Sequence, residues 1–279
     1  MRGVTPPRRR LDTELVRRGL ADSRTRAAAL IGQGRVSVDG VVTRRPSHEI
    51  TGQDLSVAEP PAGPEPASRG GYKLAGALDH WPEIAVAGRR VLDAGASTGG
   101  FTDVLLRRGA SAVVAVDVGT DQLVPRLRND PRVRVVDHTN VRTLTPPDIG
   151  GRVEITVCDL SFISLRLVLD ALIACTEPDG DLVPMVKPQF EVGREALGRG
   201  GVVRDPGQRA SAVSEVAAYA EAAGWGARGV VASPLPGPAG NVEYFLWLRR
   251  GRATVEPATI HTIVTADGVR RGDRLGSKS

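Results

Sequence analysis

Residues 90–102 read RVLDAGASTGGFT, an apolar run followed by a turn of glycine and small residues. Gly95 and Gly99 permit the tight turn and the close backbone approach that a nucleotide-like ligand needs. The next apolar run ends at Asp117, 24 residues after Asp93, where a carboxylate can accept hydrogen bonds from both ribose hydroxyls. This stretch therefore predicts a cofactor site at the first strand-to-helix turn of an α/β sheet.

Apolar runs and helical segments alternate on the carboxyl side of this turn. The runs, beginning with the turn's own, are RRVLDAG, SAVVAVDVG, VRVVD, VEITVCDL, DLVPMVKP, GVVASPL and VEYFLWLR. Such alternation predicts a doubly wound α/β sheet, which we place at residues 68–252. A Pro-rich linker, residues 58–67, precedes it. Residues 253–279 are expected to form a partly disordered C-terminal tail, because the sequence from about Ala266 is polar and basic.

The amino-terminal stretch, residues 8–57, is predicted to form a small α+β unit. Leu11 and Leu15 share one face of a first short helix, and Ser23 caps a second one. The dipeptide Asp39-Gly40 separates two short apolar runs, as in a β-hairpin. We therefore expect two helices followed by a hairpin.

The basic charge of the chain is concentrated in this unit. Residues 1–50 contain 11 Arg and 5 acidic residues, a balance of +6, whereas the whole chain carries +5. A basic unit attached to a near-neutral body favours nucleic-acid binding, although composition alone also fits a solvated, Arg-rich surface. The arginines expected to contact RNA are Arg8, Arg10, Arg17, Arg18, Arg24, Arg26 and Arg35.

The composition excludes several classes of protein. No apolar run approaches the roughly 18 residues of a membrane span. The basic residues near the amino terminus precede no apolar segment, so we expect no secretory signal and a cytoplasmic location. Cys158 and Cys175 are the two cysteines and the four histidines are scattered, so we predict neither disulfides nor a metal site.

Two stretches resemble known families. Residues 10–40, RLDTELVRRGLADSRTRAAALIGQGRVSVDG, resemble the S4 RNA-binding domain, which binds RNA structure and is not a DNA reader. Residues 91–102, VLDAGASTGGFT, resemble motif I of class I methyltransferases, whose cofactor S-adenosylmethionine has no phosphate to hold. A dinucleotide fold would favour GxGxxG, and here Ser97 replaces the second glycine.

These resemblances imply the fold class and the cofactor. The fold is that of a class I S-adenosylmethionine-dependent methyltransferase, Rossmann-like with an antiparallel last strand, preceded by a small α+β S4 domain. The implied cofactor-binding residues are Asp93, Gly95, Ser97, Thr98, Gly99, Gly100, Phe101, Thr102, Asp117, Asn140 and Asp159.

Ionisable residues follow the apolar runs at one predicted edge of the sheet. Asp159 ends the fourth run and Lys187 the fifth, and the ligand crevice of an open α/β sheet lies at the carboxyl ends of its strands. Glu243 joins them if the last strand is antiparallel, and Lys73 precedes the first strand in SRGGYKL. Of 37 basic residues 34 are Arg, so these two lysines stand out, because a partly buried Lys can act as a base and Arg cannot.

The four residues Lys73, Asp159, Lys187 and Glu243 resemble, one by one, the Lys-Asp-Lys-Glu tetrad of FtsJ-related RNA ribose 2′-O-methyltransferases. The resemblance implies that Lys187 acts as the base and that the two carboxylates orient the amines. A structural ion pair is the alternative for each residue.

Other kinds of RNA methylation favour sequence motifs that differ from those of this chain. Base N-methylation favours an Asp/Asn-Pro-Pro-aromatic run where this chain reads Asp159-Leu-Ser-Phe162. Cytosine C5 methylation needs an exposed nucleophilic cysteine, whereas Cys158 lies inside an apolar run. Phe162 either stacks on a base or belongs to the core.

The motifs together are similar to those of the TlyA family over nearly the whole chain. They are SRGGYKL, DAGASTGGFT, CDLSF, VKPQFEVG and GNVEYF, after the S4-like unit. The family implies S-adenosylmethionine-dependent 2′-O-methylation of cytidine in 23S rRNA, and in some members also in 16S rRNA, at the subunit interface. Ribosomal RNA or ribosomal subunits are the expected partners, with no membrane and no DNA.

One departure from the family and two alternative functions accompany this resemblance. Mycobacterial members carry an Arg-x-Trp-Val tetrapeptide in the linker, which AEPPAGPEPA lacks, and this argues against linker-mediated coupling between RNA binding and cofactor affinity here. The alternatives are a membrane-active haemolysin and an RNA-binding protein without catalysis.

Overall fold

The computed structural model describes residues 8–32, 34–43, 45–58, 65–193, 195, 197–198 and 200–276, with side chains except at residues 29 and 267–276. The chain divides into two compact units, Met1–Glu65 and Pro66–Ser279. Most of the Pro-rich linker, at residues 59–64, lies outside the described residues, as do residues 277–279 of the expected tail.

The N-terminal unit packs two helices against short strands. Its elements are β1 (Arg9–Arg10), α1 (Leu11–Arg17), α2 (Arg24–Gly32), β2 (Val36–Val38), β3 (Val41–Val42), β4 (Glu49–Ile50) and β5 (Leu55–Val57). Strand β2 pairs antiparallel with β3 and β5, and β1 pairs with β4. The Ser23 hydroxyl accepts a hydrogen bond from the Arg26 amide at 3.1 Å, which confirms the predicted cap. The predicted two helices and hairpin are confirmed as well.

The C-terminal unit is built on a seven-stranded sheet. Its elements are α3 (Arg69–His80), β6 (Arg90–Ala94), α4 (Gly100–Arg107), β7 (Ala112–Val116), α5 (Pro125–Arg128), β8 (Val133–Val136), β9 (Val153–Cys158), α6 (Leu169–Cys175), β10 (Thr176–Val186), α7 (Pro188–Glu191), α8 (Pro206–Ala222), β11 (Trp225–Ala232), β12 (Tyr244–Arg250) and α9 (Pro257–Gly276). The strand order is β11-β12-β10-β9-β6-β7-β8, and β12 runs antiparallel to both of its neighbours. The doubly wound sheet with an antiparallel last strand is therefore confirmed.

Apolar side chains cover both faces of this sheet. One layer buries Leu92, Leu182 and Leu246 against α6, α8 and α9, and the other buries Val91 and Val183 against α3 and α4. Burial on both faces explains why the strands are continuous apolar runs, since alternation would leave polar residues in one layer. The carboxyl ends of β6, β9 and β10 and the amino end of β12 consequently lie at one edge.

The expected C-terminal tail is largely helical in the structure. Helix α9 begins at Pro257, and it buries Ile260 and Val264, which lie one turn apart and face α8. Tyr244 on β12 donates a hydrogen bond to the Val264 carbonyl at 3.5 Å. This helix was not predicted, because the sequence from Ala266 onwards is polar and the apolar residues that anchor the helix, Ile260 and Val264, precede that point.

Candidate active site

A cleft of about 320 Å³ opens at the edge of the sheet where these strand ends meet. It lies between the β6–α4 turn, the amino end of α3, the segments after β9 and β10, and the loop before β12. The lining residues are Ser68, Arg69, Gly70, Lys73, Gly95, Ala96, Ser97, Thr98, Gly100, Phe101, Asp159, Ser161, Lys187, Pro236 and Pro238.

The glycine turn after β6 brings the backbone of β9 very close. Gly95 has φ +88°, and a Cβ atom placed on it would lie 2.6 Å from the carbonyl oxygen of Asp159. Side chains rarely adopt this φ, and the colliding atom belongs to the backbone, so glycine is required. The turn thus holds Asp159 beside the floor of the cleft.

Asp117 is fixed at the end of β7 by backbone amides. The amide of Ser97 donates to its Oδ2 at 2.8 Å, and the amide of Gly119 donates to its Oδ1 at 2.8 Å. Oδ1 also accepts a hydrogen bond from the side-chain amide of Gln122 at 3.3 Å, so the remaining acceptor capacity lies on Oδ2. Asp117 does not itself line the cleft, and its role as a ribose acceptor stays a prediction.

Other predicted cofactor residues support the cleft from behind. Asp93 is fully buried, and its Oδ2 accepts a hydrogen bond from the Thr102 hydroxyl at 2.6 Å. Burial raises the pKa of Asp93 to about 7. A Cβ on Gly99 would lie 2.7 Å from Leu123, so this glycine serves packing against α5 and its preceding loop. Asp93, Thr102 and Gly99 do not line the cleft.

Asn140 also lies away from the cleft lining. Its side-chain oxygen accepts a hydrogen bond from the Arg142 amide at 3.0 Å and caps the short 3-10 helix Val141–Thr143. The side-chain oxygen of Asn140 thus holds a capping contact, and its role in cofactor binding stays a prediction.

The four tetrad candidates come together as two ion pairs. Lys73 Nζ lies 2.5 Å from Glu243 Oε2, and Lys187 Nζ lies 2.6 Å from Asp159 Oδ1. The side chain of Glu243 is 1% exposed and that of Lys73 is 9% exposed. Glu243 lies behind Lys73, whereas the other three residues line the cleft. Two amines are thereby held at fixed positions beside the Gly95 turn.

Two residues that the sequence did not single out fix the second pair and its loop. The Lys187 amine donates to the Ser161 hydroxyl at 2.9 Å. Glu191 is buried and accepts hydrogen bonds from the Ser164 hydroxyl at 2.6 Å and the Leu165 amide at 2.7 Å. Glu191 thus ties the segment after β10 to the loop after β9. The motifs CDLSF and VKPQFEVG contain or adjoin these residues, but no spacing rule marks them.

The loop after β9 presents one aromatic ring to solvent. Phe162 has φ +65°, is 91% exposed and contacts Phe190, with ring centroids 5.2 Å apart. The alternative prediction, that Phe162 belongs to the core, is therefore wrong. Cys158, by contrast, is buried, and burial raises the pKa of its thiol, which disfavours the thiolate that C5 methylation needs.

Two buried carboxylates organise the arginines of the N-terminal unit. Glu14 contacts Arg17 at 2.5 Å and Arg18 at 2.8 Å, and the hydrogen bond from Arg17 is the main reason that its pKa falls to about 2. Asp12 contacts Arg10 at 2.8 Å and Arg24 at 3.2 Å. No pattern in the sequence predicts that these two acids are buried. They hold four of the predicted RNA-binding arginines in place.

The remaining predicted arginines make weaker or different contacts. Arg8 lies 3.5 Å from Glu49, and both side chains are largely exposed. Arg26 donates to Glu65 at 3.1 Å, and Arg35 donates to the Ala58 carbonyl. Arg8 and Arg26 are therefore exposed on the N-terminal unit, whereas the side chain of Arg35 is mostly buried.

Neither a metal cluster nor a spanning helix is found in the part of the chain that the structure describes. No three His, Cys, Asp or Glu side chains there are grouped to hold a metal ion. No helix there is long and apolar enough to cross a membrane.

Comparison with known proteins matches both units. The FtsJ-like methyltransferase family model matches residues 66–250, and the S4 domain model matches residues 9–56. The 16S/23S rRNA (cytidine-2′-O)-methyltransferase TlyA of Mycobacterium tuberculosis is 58% identical, covering 87% of this chain and 90% of the relative. The rRNA methyltransferase-type protein YqxC of Bacillus subtilis is 41% identical, covering 88% and 87%. A solved structure named as a hemolysin from Streptococcus thermophilus superposes with a TM-score of 0.74 at 36% identity, covering 98% of this chain and 99% of that chain.

Proposed function

This chain belongs to the TlyA family of FtsJ-like methyltransferases, and from that premise we propose that it methylates the 2′-hydroxyl of a cytidine in ribosomal RNA. The substrate is 23S rRNA and, in addition, 16S rRNA, as the name of the mycobacterial relative states for that protein. The observation that carries the proposal is the pair of lysine–carboxylate contacts at one cleft. An rRNA substrate implies a cytoplasmic location.

The cleft fits S-adenosylmethionine. The Gly95 turn leaves no room for a side chain, and the amino ends of α3 and α4 both adjoin the cleft, where they favour a carboxylate such as that of a methionine moiety. We assign the contact with the cofactor ribose to Asp117, whose Oδ2 retains acceptor capacity. When bound, this cofactor supplies an electrophilic methyl group on a sulfonium.

The residues of this chain orient the nucleophile and manage its proton. A ribose 2′-hydroxyl is a poor nucleophile, so its attack is helped by an amine that accepts or steers the proton. We assign that amine to Lys187, which Asp159 and Ser161 hold from two sides. Lys73, held by Glu243, completes the wall of the cleft. Positioning contributes as much as proton transfer, because in-line geometry is set by these fixed groups.

The aromatic ring of Phe162 is assigned to the target base. It lies one residue from Ser161, which lines the cleft, and it is almost fully exposed. Exposed aromatic rings bind unstacked bases by stacking.

We expect the arginines of the S4 domain to supply much of the affinity for RNA. In a variant with Arg8, Arg17, Arg18 and Arg24 replaced by alanine, the slope of log affinity against log salt should fall by about 0.9 for each duplex phosphate contact that is lost. Glu14→Gln belongs in the same variant, because removal of Arg17 and Arg18 alone would leave the buried Glu14 carboxylate with only Arg9, at 3.8 Å. Filter binding to rRNA at several salt concentrations measures the slope.

Arg45 provides the matched control for this experiment. It is exposed in the same unit, and among the described residues its side chain donates only to the neighbouring Ser47 hydroxyl, at 3.1 Å. Arg45→Ala should leave the slope nearly unchanged. Equal slopes for the multiple variant and the wild-type protein would contradict the assignment of these arginines.

The reaction itself is tested by identifying the labelled nucleoside. The protein is incubated with methyl-labelled S-adenosylmethionine and with small subunits, large subunits or naked rRNA from a strain that lacks the enzyme, and the RNA is digested. We expect label in 2′-O-methylcytidine. Label in a methylated base would refute the tetrad assignment, and label confined to one subunit would contradict the rRNA of the other subunit as a substrate.

A further inference from the structure

A second cleft, here called the arginine cleft, lies elsewhere on the C-terminal unit. It holds about 470 Å³ and is formed where the start of β10 meets β11 and the end of β12. Its lining residues are Pro178, Asp179, Arg228, Trp247, Arg249 and Arg250.

The arginine cleft is remote from the methyl-transfer site. Asp179 lies near the start of β10, whereas Lys187 directly follows the end of the same strand. A strand rises about 3.3 Å per residue, so the eight residues from Asp179 to Lys187 separate the two clefts by roughly 26 Å along the sheet. A ligand of the arginine cleft therefore cannot be the cofactor or the nucleotide being methylated.

The guanidinium groups of this cleft are incompletely paired. Arg249 lies 3.3 Å from Asp181 and donates to the Asp179 carbonyl at 2.7 Å. Arg228 donates to the Arg250 carbonyl at 3.2 Å, while its Nε is buried without a hydrogen-bond partner among the described residues.

Arg250 has the greatest capacity left for a ligand. Its side chain is exposed and makes no hydrogen bond or ion pair within the described part of the chain. The carboxylate of Asp179 forms no ion pair with these arginines there either. The three arginines of the lining therefore face two carboxylates, Asp179 in the lining and Asp181 beside Arg249, which leaves Arg228 and Arg250 without an ion pair among the described residues.

Arginine forks of this kind match one class of ligand. A guanidinium presents parallel N–H donors that bind a phosphate in two-pronged fashion, and several together bind a polyanion better than an isolated anion. Trp247, whose indole nitrogen donates to Asp181 at 2.7 Å, contributes a rigid apolar wall beside them. An indole face of this kind packs against ribose or base.

We propose that the arginine cleft binds the phosphate backbone of a second segment of the RNA substrate, distant from the methylated nucleotide. The inference rests on the proposed function, since it takes RNA as the polyanion. It adds a contact on the catalytic unit itself, apart from the S4 domain. Long, folded RNA should occupy both clefts, whereas a short fragment around the target cytidine should occupy only the first.

The test compares long and short RNA. The variant Arg228→Ala/Arg250→Ala is assayed on intact rRNA and on an oligoribonucleotide of about a dozen nucleotides that contains the target. We expect KM for intact rRNA to rise about tenfold with kcat unchanged, because each lost charge-assisted contact weakens binding. Values for the short fragment should not change. The variant Arg228→Lys/Arg250→Lys should recover most of the loss, since charge is retained.

A matched control and a second readout complete the experiment. Arg132→Ala removes an arginine that is already ion-paired with Asp130 at 2.7 Å, and it should leave KM unchanged for both RNAs. Filter binding of intact rRNA measures the same contact without turnover: the salt slope of the alanine variant should be smaller by about two units. A wild-type protein that fails to methylate would refute the proposed function while this binding assay still tests the cleft.

Three results would overturn the proposal. They are an unchanged KM and salt slope for intact rRNA, an equal loss on the short fragment, and a difference from wild type that vanishes when millimolar inorganic phosphate is added at constant ionic strength. The last of these would assign the arginine cleft to a small anion.

Discussion

Replacement of Lys187 by alanine is expected to abolish methyl transfer while RNA binding is retained. The amine lies in the cleft between Asp159 and Ser161, at 2.6 Å and 2.9 Å, and no other amine is placed between the same two groups in the described residues. Loss of a positioned acid–base group costs about 10²- to 10⁴-fold in rate. Single-turnover methylation of rRNA, with binding measured in parallel, checks both expectations.

Two further substitutions separate proton transfer from charge. Lys187→Arg keeps the positive charge but cannot be deprotonated, so it should remain inactive if the amine accepts the proton. Lys278→Ala removes a lysine outside all of the motifs and should behave as wild type. Substantial activity in Lys187→Ala would refute the catalytic assignment, and activity in Lys187→Arg alone would restrict the role of Lys187 to electrostatics.

Breaking the other ion pair should cost stability as well as activity. Glu243→Gln leaves the buried Lys73 ammonium without an anion, and removal of one member of a buried pair typically costs about 3–5 kcal/mol of unfolding free energy. Chemical denaturation of the two proteins measures this difference. We also expect methyl transfer to be lost, because Lys73 would no longer be held at the wall of the cleft.

A double variant distinguishes a structural pair from a catalytic one. Lys73→Met/Glu243→Met fills similar space with flexible apolar side chains, and replacement of both charges should recover most of the stability. Activity should stay absent. A stable double variant with near wild-type activity would show that the pair serves only folding, and an unaltered stability in Glu243→Gln would contradict its burial.

Much of the fold was predictable because burial leaves a direct trace in the sequence. Strands covered on both faces are uninterrupted apolar runs, so VEITVCDL and VEYFLWLR could be predicted as strands from the sequence. The proximity of Asp159, Lys187 and Glu243 followed from strand ends that share one edge. Helix α9 was missed because its anchoring residues, Ile260 and Val264, precede the polar segment that dominated the prediction.

The site was less predictable where side-chain direction mattered. Motif spacing places Asp93 and Asn140 near the cofactor turn but does not reveal that the first is buried behind it and the second caps a short helix. The burial of Glu14 among arginines depends on tertiary packing in the same way. The division of the tetrad into two pairs could be known only from distances.

The pairing of Lys73 with Glu243 has a consequence for the order of events during synthesis. The two residues are 170 positions apart, and Glu243 enters the sheet only with its last strand. A ribosome adds roughly 5–20 residues per second, so a nascent chain carries an unmatched Lys73 for on the order of ten to thirty seconds. The Lys73–Glu243 contact thus forms only after the last strand of the sheet has been synthesised.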